Sequence, residues 1–377
     1  MEMMGISVKF RWGGGFRGRV LGKIKLAHTF EEIISLENLF LAWREFLVGK
    51  KKKKDVQEFS RNLADNILAL HEDLANKTYR HGGYKSFYVN DPKRRHIHKA
   101  AVCDRLLHHA VHRILYPFFD ETFIADSFSC RLGKGTHRAL NRFRAMARKV
   151  GKNHTQTVWV LKCDIKKFFA NIDHEVLLNI LKEYIPDENI LWLLENVIES
   201  FSSSLLGANE MSDAAIPSTR LLRFARNDKN GVGLPLGNLT SQLFANVYMN
   251  IFDQWVKHKL KSKNYLRYAD DFVFFSHDRK WPLRIIPIVK RFLAEELKLT
   301  LHPDKIFFKT VASGVDFLGW AHFSGYRVLR RTTERRMLTR ISENSKLETL
   351  QSYLGLLRPG NTFGARRRAF ANYWLGQ

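Results

Sequence analysis

Cysteine, acidic residues and long apolar runs are all scarce in this chain, and each scarcity excludes something. The three cysteines, Cys103, Cys130 and Cys163, are widely spaced with no CxxC pair. That rules out a disulfide framework and a zinc site of recognisable spacing, and three reduced, mostly buried thiols are expected. No stretch approaches the roughly 18 consecutive apolar residues that a membrane span needs. The first residues include "RWGGGFRGRVLGKIK", basic and glycine-rich, without the apolar stretch and small-residue cleavage site of a secretory signal. A cytoplasmic location is the default expectation. Acidic residues number 37 against 62 Lys and Arg, a net charge of +25 with a pI near 10.0 in 377 residues. Such a chain is not electrostatically indifferent to polyanions; nucleic acid is the first partner to consider and an anionic membrane surface the second.

Helical periodicity dominates the first part of the chain. "TFEEIISLENLFLAWREFL" and "VQEFSRNLADNILALHEDLANK" repeat apolar residues at three and four, separated by the turn "GKKKKK". "YKSFYVNDPKRRHIHKA" alternates and turns at Asp91-Pro92, which predicts a hairpin with a basic tip. "CDRLLHHAVHRILYPFFDETF" is helical; its His108 and His112 stand at i, i+4, but no third metal ligand follows at a recognisable spacing. The short strand "TVWVLKCDIKKFF" precedes a helix, "DHEVLLNILKEYI", with Asp173 as its N-cap. Residues from about 201 to 232 show no sustained period and read as a long loop or insertion. Beyond them "GNLTSQLFANVYMNIFDQWVKHKL" is helical, "NYLRYADDFVFFSH" supplies two strands around a turn, and the last fifty residues are basic and helical.

The chemistry concentrates where carboxylates meet strand ends. Asp164 closes the strand "VLKCD", and Asp270 and Asp271 occupy the turn of "YLRYADDFVFF", an awkward place for two negative charges among aromatic and β-branched residues. If the two elements are neighbours in one sheet, three carboxylates from distant parts of the sequence meet at one rim. Clustered carboxylates become favourable when divalent cations bind them, since Mg²⁺ takes a few carboxylates plus phosphate oxygens. Two such ions about 4 Å apart can activate a hydroxyl and stabilise a leaving pyrophosphate.

At this point the sequence resembles a known family. "YADD" at 268–271, "LKCDIKKFFANIDH" at 161–174, "GLPLGNLTSQLFANVYMN" at 233–250, "SFSCRLGKGTHRAL" at 127–140, "LKLTLHPDK" at 297–305 and "VDFLGW" at 315–320 resemble, in the family's order, the motifs of reverse transcriptases of the retron and group II intron-like bacterial type. The resemblance implies an α+β right-hand polymerase, an antiparallel palm sheet backed by helices on one side. It also implies a basic N-terminal extension over 1–30, a helical segment over 31–92, fingers over 93–160, a palm over 161–325 with an insertion at 203–230, and a short basic thumb over 326–377.

Roles implied by the resemblance carry over by position. Asp164, Asp270 and Asp271, with the backbone carbonyl of Ile165, would hold two Mg²⁺ ions, Mn²⁺ being the alternative. Phe169 falls where the family places the ring that excludes a ribose 2′-hydroxyl, with Phe168 beside it as the other candidate. Arg131 would grip the dNTP triphosphate, assisted by Lys134, and Lys305 would sit near the leaving pyrophosphate. Lys93, Arg94 and Arg95 would touch template phosphate or triphosphate, and Phe317, Leu318, Gly319 and Trp320 would hold the primer end. Many members carry Gln-Gly and later Ser-Pro before the catalytic turn; here Leu236-Gly237 and Ser241-Gln242 stand instead. That pattern, with "SYLGLLRPGNTFGARRR" near the C-terminus, most resembles the reverse transcriptases of bacterial or phage-encoded diversity-generating retroelements. The implied partners are a template RNA, a cDNA or DNA primer and a small basic oligomeric accessory protein. Retron-type or phage-defence enzymes with a dedicated noncoding RNA share parts of the pattern, and a catalytically inactive RNA-binding scaffold is the third reading.

Overall fold

The computed structural model describes residues 24–90, 94–210 and 231–375, with the backbone alone described over 202–210. Four helices open the described chain: α1 (Phe30–Ile34), α2 (Leu36–Phe46), α3 (Lys54–Arg61) and α4 (Leu63–Ala75). Thr29 and Ser35 cap α1 and α2 by accepting from the amides of Glu32 and Asn38. The hairpin β1 (Lys85–Val89) and β2 (Arg95–Lys99) follows, then α5 (Val102–Thr122) and α6 (Thr136–Val150). Next come β3 (Trp159–Asp164), α7 (His174–Lys182), α8 (Glu188–Glu210), α9 (Leu239–His258), β4 (Tyr265–Tyr268), β5 (Asp271–Ser276), α10 (Lys280–Leu297) and β6 (Phe307–Thr310). A second sheet, β7 (Val315–Phe317), β8 (Trp320–His322) and β9 (Arg327–Leu329), leads into α11 (Arg331–Glu343), α12 (Leu347–Leu356) and α13 (Phe363–Leu375).

The fold is α+β. Its central antiparallel sheet has the order β4-β5-β3-β6, so the strand that ends in Asp164 lies directly against the strand that begins with Asp271. Asp173 caps α7 as expected, accepting from the Val176 amide at 3.0 Å.

Alternation along β3 and β5 explains why this sheet is apolar on both faces. Leu161, Cys163, Phe272 and Phe274 enter a core shared with α5, α7, α9 and α10. Val160, Val273 and Phe275 enter a second core formed with α6, the β7-β8-β9 sheet and α11 to α13. Helices therefore cover both faces, not one as expected, because Val160, Val273 and Phe275 make the second face as apolar as the first until Lys162 interrupts it. The second core thins out towards the end of the sheet where Lys162, Asp164 and Asp271 replace the apolar series.

Three further expectations change. Residues 201–210 continue α8 as helix rather than opening a loop; the remainder of that insertion, 211–230, lies outside the described residues, as do 1–23 and 91–93. Of the three free cysteines only Cys163 is buried, with its thiol pushed up to about 12, while Cys130 is exposed in a turn at φ 52°. A boundary at 325 would fall between β8 and β9, which belong to one sheet.

Candidate active site

The turn between β4 and β5 is built by Ala269, which adopts φ 55° and reverses the chain in two residues. Asp164 and Asp271 are direct cross-strand partners, and cross-strand partners share a face. Lys162, two residues before Asp164, joins them on that face. The strand-end carboxylates thus meet at one rim of the sheet, as the sequence predicts.

The carboxylates at this rim disfavour one another's charge. Burial, then the neighbouring charges of Asp164 and Asp271, push the Asp270 carboxyl up to about 6. Burial raises Asp271 as well, opposed first by the Lys162 ammonium. Oδ1 of Asp271 is buried without a hydrogen bond, with Lys162 Nζ 3.4 Å away. Lys305 Nζ donates to Asp164 Oδ1 at 2.8 Å. Lys162 and Lys305 are the ammonium groups that face these carboxylates. Among the described residues no group of three or more His, Cys, Asp or Glu side chains stands close enough together to hold a metal ion as the side chains lie. A set of hard carboxylate oxygens that feel one another, one of them unsatisfied, nevertheless suits Mg²⁺, which completes its shell with water and phosphate oxygens.

Around the rim the predicted residues divide. The amides and carbonyls that bridge β3 to 300–302 belong to Asp164 and Lys166, so the Ile165 carbonyl is directed to the other side, where β5 lies. Phe168 is 3% exposed whereas Phe169 is half-buried; the two rings meet edge to face at 5.4 Å, leaving Phe169 as the accessible one. Leu236 is half-buried and Gly237 exposed, and the Leu236 carbonyl accepts from the His98 amide of β2 at 3.0 Å. Gln242 is half-buried in the first turn of α9. Arg94 lies over the Tyr88 ring at 4.0 Å, Arg95 is exposed, and Lys93 lies outside the described residues.

Two expectations do not fit the geometry. Arg131 Nε donates to Asp120 Oδ1 at 2.6 Å, and its other nitrogens donate to the carbonyls of Asp120, Ile124 and Ser127. Only 5% of that side chain is exposed, so it ties the end of α5 to the following loop and is not presented to a triphosphate. Lys134 likewise donates to the Ala125 carbonyl at 2.9 Å. Phe317 and Trp320 are both 0% exposed, so neither ring can touch a primer. A side chain at Gly360 would come within 2.2 Å of the Trp320 ring, showing how closely the backbone at Gly360 covers the indole. Only the Leu318-Gly319 turn between β7 and β8 remains open for that role.

Sequence reasoning missed Lys162 and Arg267. For Lys162 the signal was a lysine two residues before a strand-end aspartate, on the same face. For Arg267 it was a guanidinium inside the apolar strand "YLRY", which demands a buried acid elsewhere; that acid is Asp253 of α9, with Nη2 to Oδ2 at 2.7 Å. The His108 and His112 pair separates on the helix: His108 is buried 3.1 Å from His81 Nε2, and His112 stacks on Tyr116.

Comparison with known proteins returns a consistent set. A family model described as "Reverse transcriptase (RNA-dependent DNA polymerase)" matches residues 90–322. The chain is 23% identical over 332 residues to Protein YkfC of Escherichia coli (strain K12), covering 78% of this chain and 80% of that one. It is 25% identical over 241 residues to the group II intron-encoded protein LtrA of Lactococcus lactis subsp. cremoris, covering 63% of this chain and 33% of LtrA. With the mitochondrial nuclear intron maturase 1 of Arabidopsis thaliana it shares 27% identity over 96 residues, 26% of this chain and 12% of the maturase. It thus spans most of YkfC and a third or less of the other two. Among solved structures, telomerase from Candida albicans in complex with a TWJ fragment of telomeric RNA aligns at a TM-score of 0.40 and 12% identity, covering 80% of this chain and 55% of that one.

Proposed function

The chain belongs to the reverse transcriptase (RNA-dependent DNA polymerase) family, and from that premise we propose that it copies a structured RNA into cDNA by two-metal nucleotidyl transfer, with errors at template adenines, in the mutagenic retrohoming of a diversity-generating retroelement. The observation that carries the catalytic part is the register that sets Asp164 against Asp271, with the Asp270 carboxyl raised to about 6 by burial and by its two neighbours.

In this reading Asp164, Asp270, Asp271 and the Ile165 carbonyl hold two Mg²⁺ ions. When bound, the ions supply activation of the primer 3′-hydroxyl and stabilisation of the leaving pyrophosphate. Lys305, which donates to Asp164, and Lys162, beside Asp271, are the ammonium groups at this rim, and Lys305 would sit near the leaving pyrophosphate. Phe169 lies beneath the sugar and excludes a 2′-hydroxyl. Leu236, Gly237 and Gln242 line the nascent base pair. Leu236 offers it an apolar surface where an amide could police pairing, and that is the basis for relaxed fidelity. Arg94 and Arg95, with Lys93 before them in sequence, contact template phosphate or triphosphate, and the Leu318-Gly319 turn supports the primer end. Fingers over 93–160, palm from 161, and a thumb of α11 to α13 moving with the β7-β8-β9 sheet complete the right hand. A small basic oligomeric accessory protein would deliver the template and target.

The test is to sequence cDNA made on a defined RNA template and score errors by template base. Errors concentrated at adenine support the retroelement reading. Accurate cDNA moves the assignment to a retron-type or phage-defence enzyme, and absence of extension with Mg²⁺ or Mn²⁺ leaves the inactive RNA-binding scaffold.

A further inference from the structure

Arg267, three residues before Asp270, is 0% exposed, and its guanidinium is surrounded by acceptors. Nε donates to both carboxylate oxygens of Asp253 at 2.9 Å. Nη2 donates to Asp253 Oδ2 at 2.7 Å and to Ser127 Oγ at 3.0 Å. Nη1 donates to Asn246 Oδ1 at 3.2 Å and to the Ala269 carbonyl at 3.0 Å. The backbone is engaged as well: its amide donates to the Asp126 carbonyl, and its carbonyl accepts from the Phe128 amide. One residue therefore joins α9, the loop at 126–128 and the turn that carries the acidic pair.

A buried ion pair is weak evidence for stability, because well-packed apolar residues of similar volume serve as well or better. The contact to Ala269 is the part that apolar residues could not replace. Ala269 is an L-residue at φ 55°, a conformation that persists only where the surroundings over-determine it. Its carbonyl belongs to the peptide plane that begins Asp270, so the bond from Nη1 fixes the direction in which the acidic pair leaves the turn. On the other side of the turn, Tyr268 Oη is hydrogen-bonded to Thr136 Oγ1 at 2.9 Å, which ties the turn to the start of α6.

We propose that Arg267, held by Asp253 and Asn246, is a positioning residue that sets the geometry of the catalytic turn through the Ala269 carbonyl. This rests on reading Asp270 and Asp271 as catalytic. It predicts that loss of the forked contacts harms turnover more than nucleotide binding.

The variant Arg267→Lys keeps a positive charge opposite Asp253 and gives up the planar fork. In single-nucleotide extension by the full chain, kcat should fall about a hundredfold, as for a misplacement near 1 Å, with the KM for dNTP within about twofold of wild type. Amide hydrogen exchange over 268–271 should accelerate. The control is Tyr265→Phe, which removes the hydroxyl that donates to Asp253 at 2.7 Å but does not touch the turn; it should lower the melting temperature and keep kcat. If Arg267→Lys does not fold, Asn246→Ala removes one of the two acceptors of Nη1, leaves the ion pair, and should lower kcat about tenfold by the same reasoning. Unchanged kcat and exchange in the fork variant, or an equal kcat loss in Tyr265→Phe, would overturn the proposal. If the wild-type protein extends no primer, the polymerase reading fails by itself. The exchange comparison then decides the clamp: faster exchange in Arg267→Lys supports it, and unchanged exchange overturns it.

Discussion

Asp270 carries the sharpest residue-scale consequence. Its carboxyl is raised to about 6 by burial and by Asp164 and Asp271, above its value in the unfolded chain. Between the ordinary carboxylate range and about 6 the folded, metal-free protein therefore holds a proton that the unfolded chain has lost, and stability falls as pH rises through that window. Asp270→Asn removes this cost. The metal-free variant should melt a few degrees above wild type at pH 7.5, the gap should narrow as pH falls below about 6 and close in the ordinary carboxylate range near pH 4, and DNA synthesis should be abolished while RNA binding persists. A gap independent of pH would contradict the electrostatic account. Phe169→Ala should raise ribonucleotide incorporation by about tenfold or more, read by sequencing or alkaline cleavage of the product; unchanged sugar discrimination would remove Phe169 from that role. The carboxylates were legible in the sequence because charge is conspicuous in an apolar strand. Arg131 and Trp320 were not, since a motif does not reveal whether a side chain faces solvent or closes a core: Asp120 engages the arginine and Gly360 covers the indole.

At the scale of elements, the hairpin β1-β2 and the Leu236-Gly237 turn form one unit. The His98 amide donates to the Leu236 carbonyl, and Gly237, at φ 112°, leaves just enough room for Ile97. A side chain there would meet Ile97 Cγ2 at 3.0 Å in a backbone conformation that L-residues rarely adopt. Gly237→Ala should therefore cost roughly 1–3 kcal/mol and raise the KM for dNTP; a variant with wild-type melting temperature and KM would separate the hairpin from the site. Leu236→Gln should lower misincorporation at template adenine if an apolar surface is what relaxes pairing, and an unchanged error spectrum would place infidelity elsewhere. Periodicity made the hairpin, the Asp173-capped helix and the strand pair around the acidic turn legible. The two-sided burial of the sheet was not, because "FVFF" is apolar on both faces and the single Lys162 in "VLKC" stands near the strand end, where it marks the rim and not an uncovered face; the helical run past Phe201 was hidden by Ser, Gly and Asn, which favour turns without forbidding helix.

The whole molecule carries +25, and among its described residues no helix is long and apolar enough to cross a membrane. RNA affinity should fall steeply with salt, a log–log slope reporting the number of phosphates neutralised; affinity flat in salt would mean that the basic surface is not the RNA-binding one. Composition announced the polyanion partner, and the order of motifs announced the polymerase. Composition is silent on which basic residues are presented to a partner, since Arg131 and Arg267 count towards the charge while held within the protein. The most direct test of the account is primer extension on an RNA template with dNTPs and Mg²⁺, comparing the wild-type chain with Asp271→Asn. The account predicts cDNA from the wild type and none from the variant, with equal RNA binding by both. Extension that survives the substitution, or a wild type that binds primed RNA and never extends it, would contradict the assignment of the Asp164, Asp270 and Asp271 rim as the catalytic centre.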